Sequence, residues 1–326
     1  MRDIARAYEG GEVKAEGFTA FEYALTEQAL MSTGAYQEAE KHFDAIIAGM
    51  EATMYPTSVH LDNTDKHTAF ATSTVPADSI TAFCRRNGIT PANHFLASLM
   101  HVLWRITRED GVLVTTIHNG RDDARMQESY GMLVKTLPVA MTGDRACRFT
   151  ESALSLQRQV AESADRSLYP FTHIVSRHGV RPNILYAYQG LQDYVAKGHS
   201  ELLAGSKTMP LELDMAKVPL SVEIRPAAEG FELLAEYDTA LYSRFDMDTL
   251  LGMIGTFAQN AAAAADNALA SSIPLLSEAE RERISVLGQG ERHEYDASKT
   301  WVDLFVEAAK EHGDSVAVAD RDNRLT

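Results

Sequence analysis

Val112-Leu113-Val114-Thr115-Thr116-Ile117 is an uninterrupted run of apolar and β-branched residues that follows Asp110-Gly111. Such a run is typical of a strand buried on both faces. His118-Asn119-Gly120-Arg121 come directly after it and predict a turn. A polar loop then leads to Met132–Leu137, where the apolar composition predicts a second strand. A strand buried on both faces needs covering layers, so this stretch predicts an α/β layered fold.

Helical spacing of apolar residues dominates the sequence before this strand. Helices are expected at 2–9, 18–31 and 35–48, and a threonine-rich extended segment at 67–75. Thr90-Pro91 predicts the start of a further helix, because a hydroxyl group can cap the first turn and proline is favoured at the first helical position.

A β-hairpin is predicted after the central strand. Apolar and polar residues alternate over 220–225 and again over 231–237, which indicates two strands with one buried face. Ile184–Tyr188 predicts a further strand, and Asp246 is expected to begin a long helix. The sequence therefore predicts a mixed sheet flanked by helices.

The composition argues against several classes of protein. A formal net charge of −16 disfavours a general nucleic-acid binder, which needs a basic face. Cys84 and Cys147 are too few for a disulfide framework or a zinc site, and both are expected to be inert. No apolar run reaches the length of a membrane span, and the first residues lack the apolar core of a signal peptide. We expect a cytoplasmic protein that contacts neither membrane nor nucleic acid.

The sequence offers no convergent set of catalytic side chains. Its eleven histidines are scattered, and neither a G-x-S-x-G elbow nor a P-loop is present. His118, Asp122 and Asp123 form a conceivable metal cluster, but a turn does not fix their spacing and a solvated loop is the favoured interpretation. No nucleophile or acid–base pair is assigned.

A seam near residue 295 divides the sequence. Trp301–Ala309 predicts a new amphipathic helix and Ser315–Asp320 a short strand, which together are too little to close a second core. We therefore expect a piece of a multidomain protein. Its predicted parts are a large domain at 1–285, a linker at 286–299 and the truncated start of another domain at 300–326.

Several stretches resemble the C-terminal lobe of a condensation domain from a nonribosomal peptide synthetase. The most specific is Gly120-Arg121 followed, after nine residues, by Gly131–Pro138, which is similar to the family's Gly-x-Phe-Val-Asn-Thr-Leu-Pro strand. Phe21–Ala24 resembles the Asp-Tyr-Ala block. Tyr169–Phe171 resembles the Tyr-Pro-Phe-Glu block, with Thr172 in place of the glutamate.

Two further matches extend the resemblance towards the end of the chain. Leu220–Glu223 is similar to a strand usually written Asp-Leu-Ser-Leu, with Pro219 in place of the aspartate. Pro274–Ser277 and Val302–Phe305 resemble the join between a condensation and an adenylation domain. The resemblance implies a chloramphenicol-acetyltransferase-like lobe, one half of a two-lobed condensation domain, followed by the first residues of an adenylation domain.

The resemblance also implies a chemistry. In such a domain one carrier presents an acyl or peptidyl thioester on a phosphopantetheine arm, and the amine of an aminoacyl thioester on a second carrier attacks it. The family's His-His-x-x-x-Asp-Gly motif, whose second histidine positions or deprotonates this amine, would lie upstream of Met1. Without it, the chain alone is expected not to catalyse condensation. The resemblance implies no catalytic residue, metal or redox cofactor in this chain.

The implied partners are the donor and acceptor peptidyl carrier domains, the missing N-terminal lobe and the adjacent adenylation domain. Two other functions stay open. One is a non-catalytic docking platform, which the departures at Lys135, Thr172 and Pro219 favour. The other is a related transferase that epimerises, cyclises or uses free coenzyme A; the adenylation-like tail favours condensation over epimerisation. The amino acids joined, the donor chirality and the product stay undetermined.

Eight residues are candidates for the substrate channel or its support: Gly120, Arg121, Gly131, Lys135, Thr136, Tyr186, Tyr188 and Ser221. Arg121 either supports the channel or pairs with Asp122 or Asp123. Gly131 is expected to permit a turn. Lys135 stands where the family has asparagine, so a structural contact with water or a carboxylate is favoured. Core packing is favoured for both tyrosines, and Ser221 faces either the cleft or solvent.

Overall fold

The computed structural model describes residues 2–13, 15–58, 67–121, 123–127, 129–190, 216–228, 230–290, 294 and 296–326. The chain forms two compact units, Met1–Ser277 and Glu278–Thr326. None of the helices within these described ranges combines the length and the apolar composition needed to cross a bilayer.

Helices and strands are interspersed along the larger unit. Its helices are α1 (Arg2–Tyr8), α2 (Ala20–Leu30), α3 (Gly34–Ile47), α4 (Asp78–Asn87), α5 (Pro91–Thr107), α6 (Phe149–Ala164), α7 (Phe171–His178) and α8 (Arg244–Ala263). Its strands are β1 (Thr68–Val75), β2 (Gly111–His118), β3 (Lys135–Thr142), β4 (Ile184–Tyr188), β5 (Leu220–Ala227) and β6 (Gly230–Asp238).

One mixed six-stranded sheet organises the larger unit. Its strand order is β1-β6-β5-β4-β2-β3. The central strands β2, β4 and β5 are parallel, whereas β1, β6 and β3 are each antiparallel to their neighbours. The predicted hairpin is confirmed as β5 and β6, and its register pairs Val222 with Ala235. Pro138 is tolerated within β3 because β3 is an edge strand.

The main core lies between one face of the sheet and a layer formed by α4, α5, α6 and α8. Leu220, Val222 and Ile224 of β5 contribute the alternate side chains that the sequence predicted to be buried. Helix α5 is almost enclosed over its first three turns, as its wide apolar stripe requires. Thr90 caps it by accepting a hydrogen bond from the backbone N–H of Asn93, with Pro91 at the first helical position.

Among the described residues, helices cover the opposite face of the sheet at one end only. Helices α3 and α7 pack there through Phe43, Ile47 and Ile174 against Leu113 and neighbouring residues of β2 and β3. The same face of β5, β6 and β1 carries polar side chains and is half-exposed. The α/β prediction is thus confirmed, with helices on both faces of the β2–β3 end.

Two predicted boundaries are wrong. The second strand begins at Lys135 rather than Met132, because the last β2–β3 pair joins His118 to Lys135 and the chain before it turns away from the sheet. The long helix begins at Arg244 rather than Asp246. Ser243 is its N-cap, and Asp246 completes a capping box three residues later. Helices α6 and α7 were not predicted.

The smaller unit contains α9 (Glu278–Gly288), α10 (Trp301–Glu311) and the two-residue strands β7 (Val318–Ala319) and β8 (Arg324–Leu325). The helix predicted at 301–309 is confirmed, and Thr300 caps it in a capping box with Asp303. Every described residue from 281 to 326 is exposed. The boundaries 286–299 and 300–326, and the assignment of the latter to an adenylation domain, stay predictions.

Candidate functional site

Gly120 lies two residues after the central strand β2, in a conformation that favours glycine. Its φ is 65°, in the left-handed region. A Cβ atom on this residue would overlap the carbonyl oxygen of Leu133. The turn after β2 therefore lies directly against the segment that leads into β3.

Arg121 stabilises the loop between β2 and β3 by hydrogen bonds to the loop backbone. Its Nη1 donates to the carbonyl oxygens of Met126 (2.5 Å) and Ser129 (2.8 Å), and Nη2 donates to that of Gly131 at 3.4 Å. The alternative pairing with Asp123 is not observed, since Asp123 binds Arg125. Asp122 lies outside the described residues. Arg121 therefore acts on the loop backbone in this structure.

The same loop is joined to the segment before α2. The Ser129 hydroxyl donates to the carbonyl oxygen of Phe18, and the backbone N–H of Tyr130 donates to the Glu16 carboxylate. Leu133 packs with Phe18 and other residues in a small separate core. Gly131, with φ 149°, lies so close to Ala20 that a Cβ atom there would be 2.9 Å from the Ala20 Cβ.

Lys135 reaches a carboxylate, as the sequence predicted. Its side chain is largely buried, and its Nζ forms an ion pair with Glu27 of α2 and lies 4.7 Å from the centre of the Tyr23 ring. Burial lowers the pKa of Lys135, but hydrogen bonds to Glu27 and Tyr23 outweigh this effect and hold the pKa above its usual value. The ammonium group is therefore charged and joins α2 to the start of β3.

Thr136 adjoins this cluster, whereas the other channel candidates lie apart from it. Thr136 follows Lys135 in β3 and is opposite Ile117. Tyr186 is buried beneath α5, and its hydroxyl donates to the carbonyl oxygen of Ala92 at 2.5 Å. Tyr188 ends β4 and is partly buried against the same core. Both tyrosines therefore pack in or against the core, which was the favoured interpretation for them.

Ser221 lies on the other face of the sheet. It is level with Leu185 of β4 and Glu236 of β6, and it is partly exposed beside polar neighbours. On this face Arg225 forms an ion pair with Glu223 at 2.6 Å. The structure thus brings Gly120, Arg121, Gly131, Lys135 and Thr136 together and leaves Tyr186, Tyr188 and Ser221 at two other places.

The conceivable metal cluster at the turn includes Asp122, which lies outside the described residues, so it stays untested. Among the residues that are described, no group of three His, Cys, Asp or Glu side chains is arranged to hold a metal ion. A hydrogen bond from the Arg125 side chain lowers the pKa of Asp123 to about 2. Both cysteines are thiols, and burial raises the pKa of Cys84 to about 11, which disfavours the reactive thiolate.

Two shallow grooves lie elsewhere. One, of ≈ 280 Å³, is lined by Leu30, Glu38, Arg166 and neighbouring residues. The other, of ≈ 260 Å³, lies within the smaller unit beside Phe305 and His312. None of the eight candidate residues lines either of these two grooves. We take as the candidate site the cluster beyond the end of β2, where five of the eight candidates lie together.

Sequence reasoning missed the partners of this cluster. Glu16 and Glu27 are distant in sequence from the residues they bind, and no short-range pattern marks them. The one available signal was the charge of Lys135 within an apolar strand, which predicted a contact with water or with a carboxylate without specifying which carboxylate.

Comparison with known proteins supports the resemblance. A family model for the condensation domain matches residues 1–285. One of the linear gramicidin synthase proteins of Brevibacillus parabrevis is 24% identical over 76% of this chain and 5% of its own length. Surfactin synthase subunit 1 of Bacillus subtilis (strain 168) is 24% identical over 100% of this chain and 9% of its own length. The chain therefore spans less than a tenth of these relatives.

Solved structures share the fold. The first condensation domain of the calcium-dependent antibiotic synthetase, in complex with a substrate analogue, matches with a TM-score of 0.62 and 14% identity, over 84% of this chain and 62% of that one. The X-domain from teicoplanin biosynthesis matches with a TM-score of 0.67 and 15% identity, over 83% of this chain and 65% of that one. The chain thus spans slightly less than two thirds of these structures.

Proposed function

Because the chain belongs to the condensation-domain family, we propose that it is the C-terminal lobe of a domain that forms amide bonds in a nonribosomal peptide synthetase. The donor is an acyl or peptidyl thioester, and the acceptor is an aminoacyl thioester; each is held on the phosphopantetheine arm of a carrier domain. The acceptor amine attacks the thioester carbonyl, a C–N bond forms, the C–S bond breaks and the donor carrier leaves as a thiol. The chain itself binds no cofactor in this proposal.

The main support for the proposal is the turn after β2, which backbone contacts and hydrogen bonds hold in place. Gly120 and Arg121 hold the loop to Gly131 by close backbone contact and three hydrogen bonds to carbonyl groups. Ligands commonly bind beyond the carboxyl ends of parallel strands in α/β folds. A rigid wall there favours catalysis by proximity, since both thioester arms must be held in one orientation.

The role of this lobe is positioning, and the acid–base group comes from elsewhere. None of the candidate residues in the cluster is a free general base: Lys135 is charged and paired with Glu27, and Arg121 is bound to carbonyl groups. We assign the base to the His-His-x-x-x-Asp-Gly motif of an N-terminal lobe. The chain alone is accordingly inactive, and its partners are that lobe, two carrier domains and an adenylation domain.

The test compares this chain with a polypeptide extended upstream by about 200 residues, the size of an ordinary half-domain. Both are supplied with loaded donor and acceptor carriers, and the product is detected by mass spectrometry. We expect amide product only from the extended polypeptide, and none after its second motif histidine is replaced by alanine. Product from the 326-residue chain alone, or an extended polypeptide that lacks the motif, contradicts the proposal.

A second candidate is a non-catalytic platform that docks carriers. It is favoured by the Lys135–Glu27 pair. Where the family pattern has asparagine, this chain has a lysine whose ammonium group is paired with a carboxylate. The two functions are separated by one result. An extended polypeptide that carries the motif, binds both loaded carriers and forms no amide supports the platform.

A further inference from the structure

The two edge strands of the six-stranded sheet differ in how their outer edges are protected. At the β3 edge, the side-chain amide of Gln159 binds both backbone groups of Ala140, at 2.8 Å from its N–H and 3.1 Å from its carbonyl oxygen. Pro138, in the same strand, has no N–H to offer. Such features protect a sheet edge against pairing with another chain.

The other edge strand, β1, has no comparable protection from the described residues. It pairs with β6 without a bulge and contains neither a charged residue nor a proline. The carbonyl oxygen of His67 accepts from the residue after β6, so the odd-numbered residues of this ladder face β6. The N–H and C=O groups of Phe70, Thr72 and Thr74 therefore face outward. Within the described part of the chain, the one hydrogen bond to these groups runs from Arg244 to the Phe70 carbonyl oxygen, and at 3.5 Å it is weak.

Carboxylates of β6 lie beside the exposed side chains of β1. The cross-strand pairs on this half-exposed face are Phe70–Glu236, Thr72–Leu234 and Thr74–Glu232. Glu236 forms no ion pair with any described residue. Arg225 is 3.9 Å from Glu232 but only 2.6 Å from Glu223. The sheet next to the β1 edge is therefore acidic, with one apolar side chain between two carboxylates.

A strand added at this edge would place alternate side chains beside that row. Neighbouring strands are about 4.8 Å apart, so the added strand lies about 10 Å from β6, within reach of a long cationic side chain. Such a side chain can extend over the small Thr74 to Glu232. A second one can extend over the Phe70 ring, with a cation–π contact, to Glu236. The residue midway between them lies beside Leu234, where an apolar side chain fits.

We infer that the outer edge of β1 binds an extended segment of another protein, with Lys or Arg at two positions four residues apart and an apolar residue midway between them. The segment pairs with β1 as an antiparallel strand, the more stable arrangement. Backbone hydrogen bonds to Phe70, Thr72 and Thr74 supply affinity, and the carboxylates of β6 select a basic segment. This interaction goes beyond amide formation and does not depend on it.

A second copy of this chain is a poorer match for the edge. Its β1 contains no cation, so the carboxylates of β6 would stay without a counter-charge. Pairing two such edges would also bring together two chains that each have a formal net charge of −16. Charge complementarity therefore favours a basic partner.

The test measures binding of the 326-residue chain to the labelled synthetic peptide Ser-Thr-Lys-Thr-Val-Thr-Lys-Thr-Ser by fluorescence anisotropy. The informative variant is Thr72→Pro, because proline removes an outward N–H and leaves the bonds between β1 and β6 in place. Glu236→Gln tests the charge. Its control is Glu38→Gln, which removes an exposed carboxylate of α3 at the other end of the sheet. Circular dichroism checks the fold of each variant.

We expect Thr72→Pro to weaken binding at least about tenfold, from the lost hydrogen bond and the steric block to pairing. Glu236→Gln should weaken it about two- to fivefold, as for a partly exposed ion pair, and Glu38→Gln should leave it unchanged. A peptide N-methylated at its valine, whose N–H faces β1, should lose binding to the unaltered chain. That result does not depend on the folding of any variant.

Three results overturn the inference. One is no binding of the peptide to the unaltered chain at about 1 mM, which is weak even for a short peptide. Another is equal binding of the N-methylated and unmodified peptides. The third is a dimer of the unaltered chain, seen by sedimentation, that Thr72→Pro abolishes, since this assigns the edge to a second copy.

Discussion

The carbonyl oxygen of Leu133 fills the place where a Cβ atom would stand on Gly120, and the carbonyl carbon of Leu133 lies 2.9 Å from that position. Gly120 also has a φ of 65°. We expect Gly120→Ala to lower the free energy of unfolding by about 2–4 kcal/mol, from left-handed backbone strain and from displacement of a neighbouring backbone segment. Urea denaturation followed by circular dichroism measures this loss.

Gly88 provides the matched control for this prediction. Its φ is 66°, but no atom lies within 4 Å of the position of its Cβ. Gly88→Ala should therefore cost only the backbone part, about 1 kcal/mol. Equal losses for the two variants would show that the contact with Leu133 contributes nothing.

Local patterns were sufficient to predict the central elements of the fold. The β-branched run at 112–117 gave β2, alternation gave the β5–β6 hairpin, and Thr90-Pro91 gave the start of α5. The start of β3 was not predictable in this way. Met132 and Val134 have the composition of a strand, but β2 ends at His118, which pairs with Lys135, and the chain then turns at Gly120. That boundary depends on a contact between distant residues.

The candidate site, too, could be predicted from the sequence only in part. Gly120 and Arg121 were identified from their position after a buried strand and from the resemblance to the family motif, and Lys135 was identified as a departure from that motif. The sequence did not identify Glu27, which is 108 residues from its partner. Nor did it predict that Arg121 binds carbonyl groups, since the geometry of the loop decides which acceptors are in reach.

Removal of the Arg121 side chain should loosen the loop without unfolding the protein. Its guanidinium donates to three loop carbonyl groups, and such charge-assisted bonds contribute about 1.5–3 kcal/mol each when they are well formed. We expect Arg121→Ala to speed amide hydrogen exchange in residues 123–131 at least about tenfold. Arg148→Ala, which removes an exposed pair with Glu151, is the control. Unchanged exchange in the loop would contradict the assigned role.

The Lys135–Glu27 pair should contribute more to stability than an exposed pair. The two side chains are 15% and 24% exposed. We expect a double-mutant cycle with Lys135→Met and Glu27→Gln to give a coupling energy of about 1–2 kcal/mol, because partial burial reduces solvent screening. The exposed Arg244–Asp248 pair of α8 is the control and should give about 0.3–0.5 kcal/mol. Equal coupling in the two cycles would rule out a special role for Lys135.

Two buried histidines of α5 make the stability of the larger unit depend on pH. His94 donates from Nε2 to the carbonyl oxygen of Ala258, and Nε2 of His101 is hydrogen bonded to the Ser152 hydroxyl. Nδ1 of each has no hydrogen-bond partner among the described residues. Phe149 packs against both rings. The pKa of each is lowered to about 4, by burial in both cases and, for His101, also by the nearby charge of Arg105.

Since both pKa values lie below the unfolded value near 6.5, the unfolded chain binds more protons between about pH 4 and 6.5. The stabilisation by these neutral rings is complete above this window and is lost as the pH falls through it. We expect each histidine to lower the free energy of unfolding by about 2 kcal/mol at pH 5 relative to pH 7. Urea titrations at both values measure this difference. His94→Gln and His101→Gln should each reduce it, even where they also lower stability at pH 7. The same pH difference in the variants as in the unaltered chain would show that other groups cause the dependence.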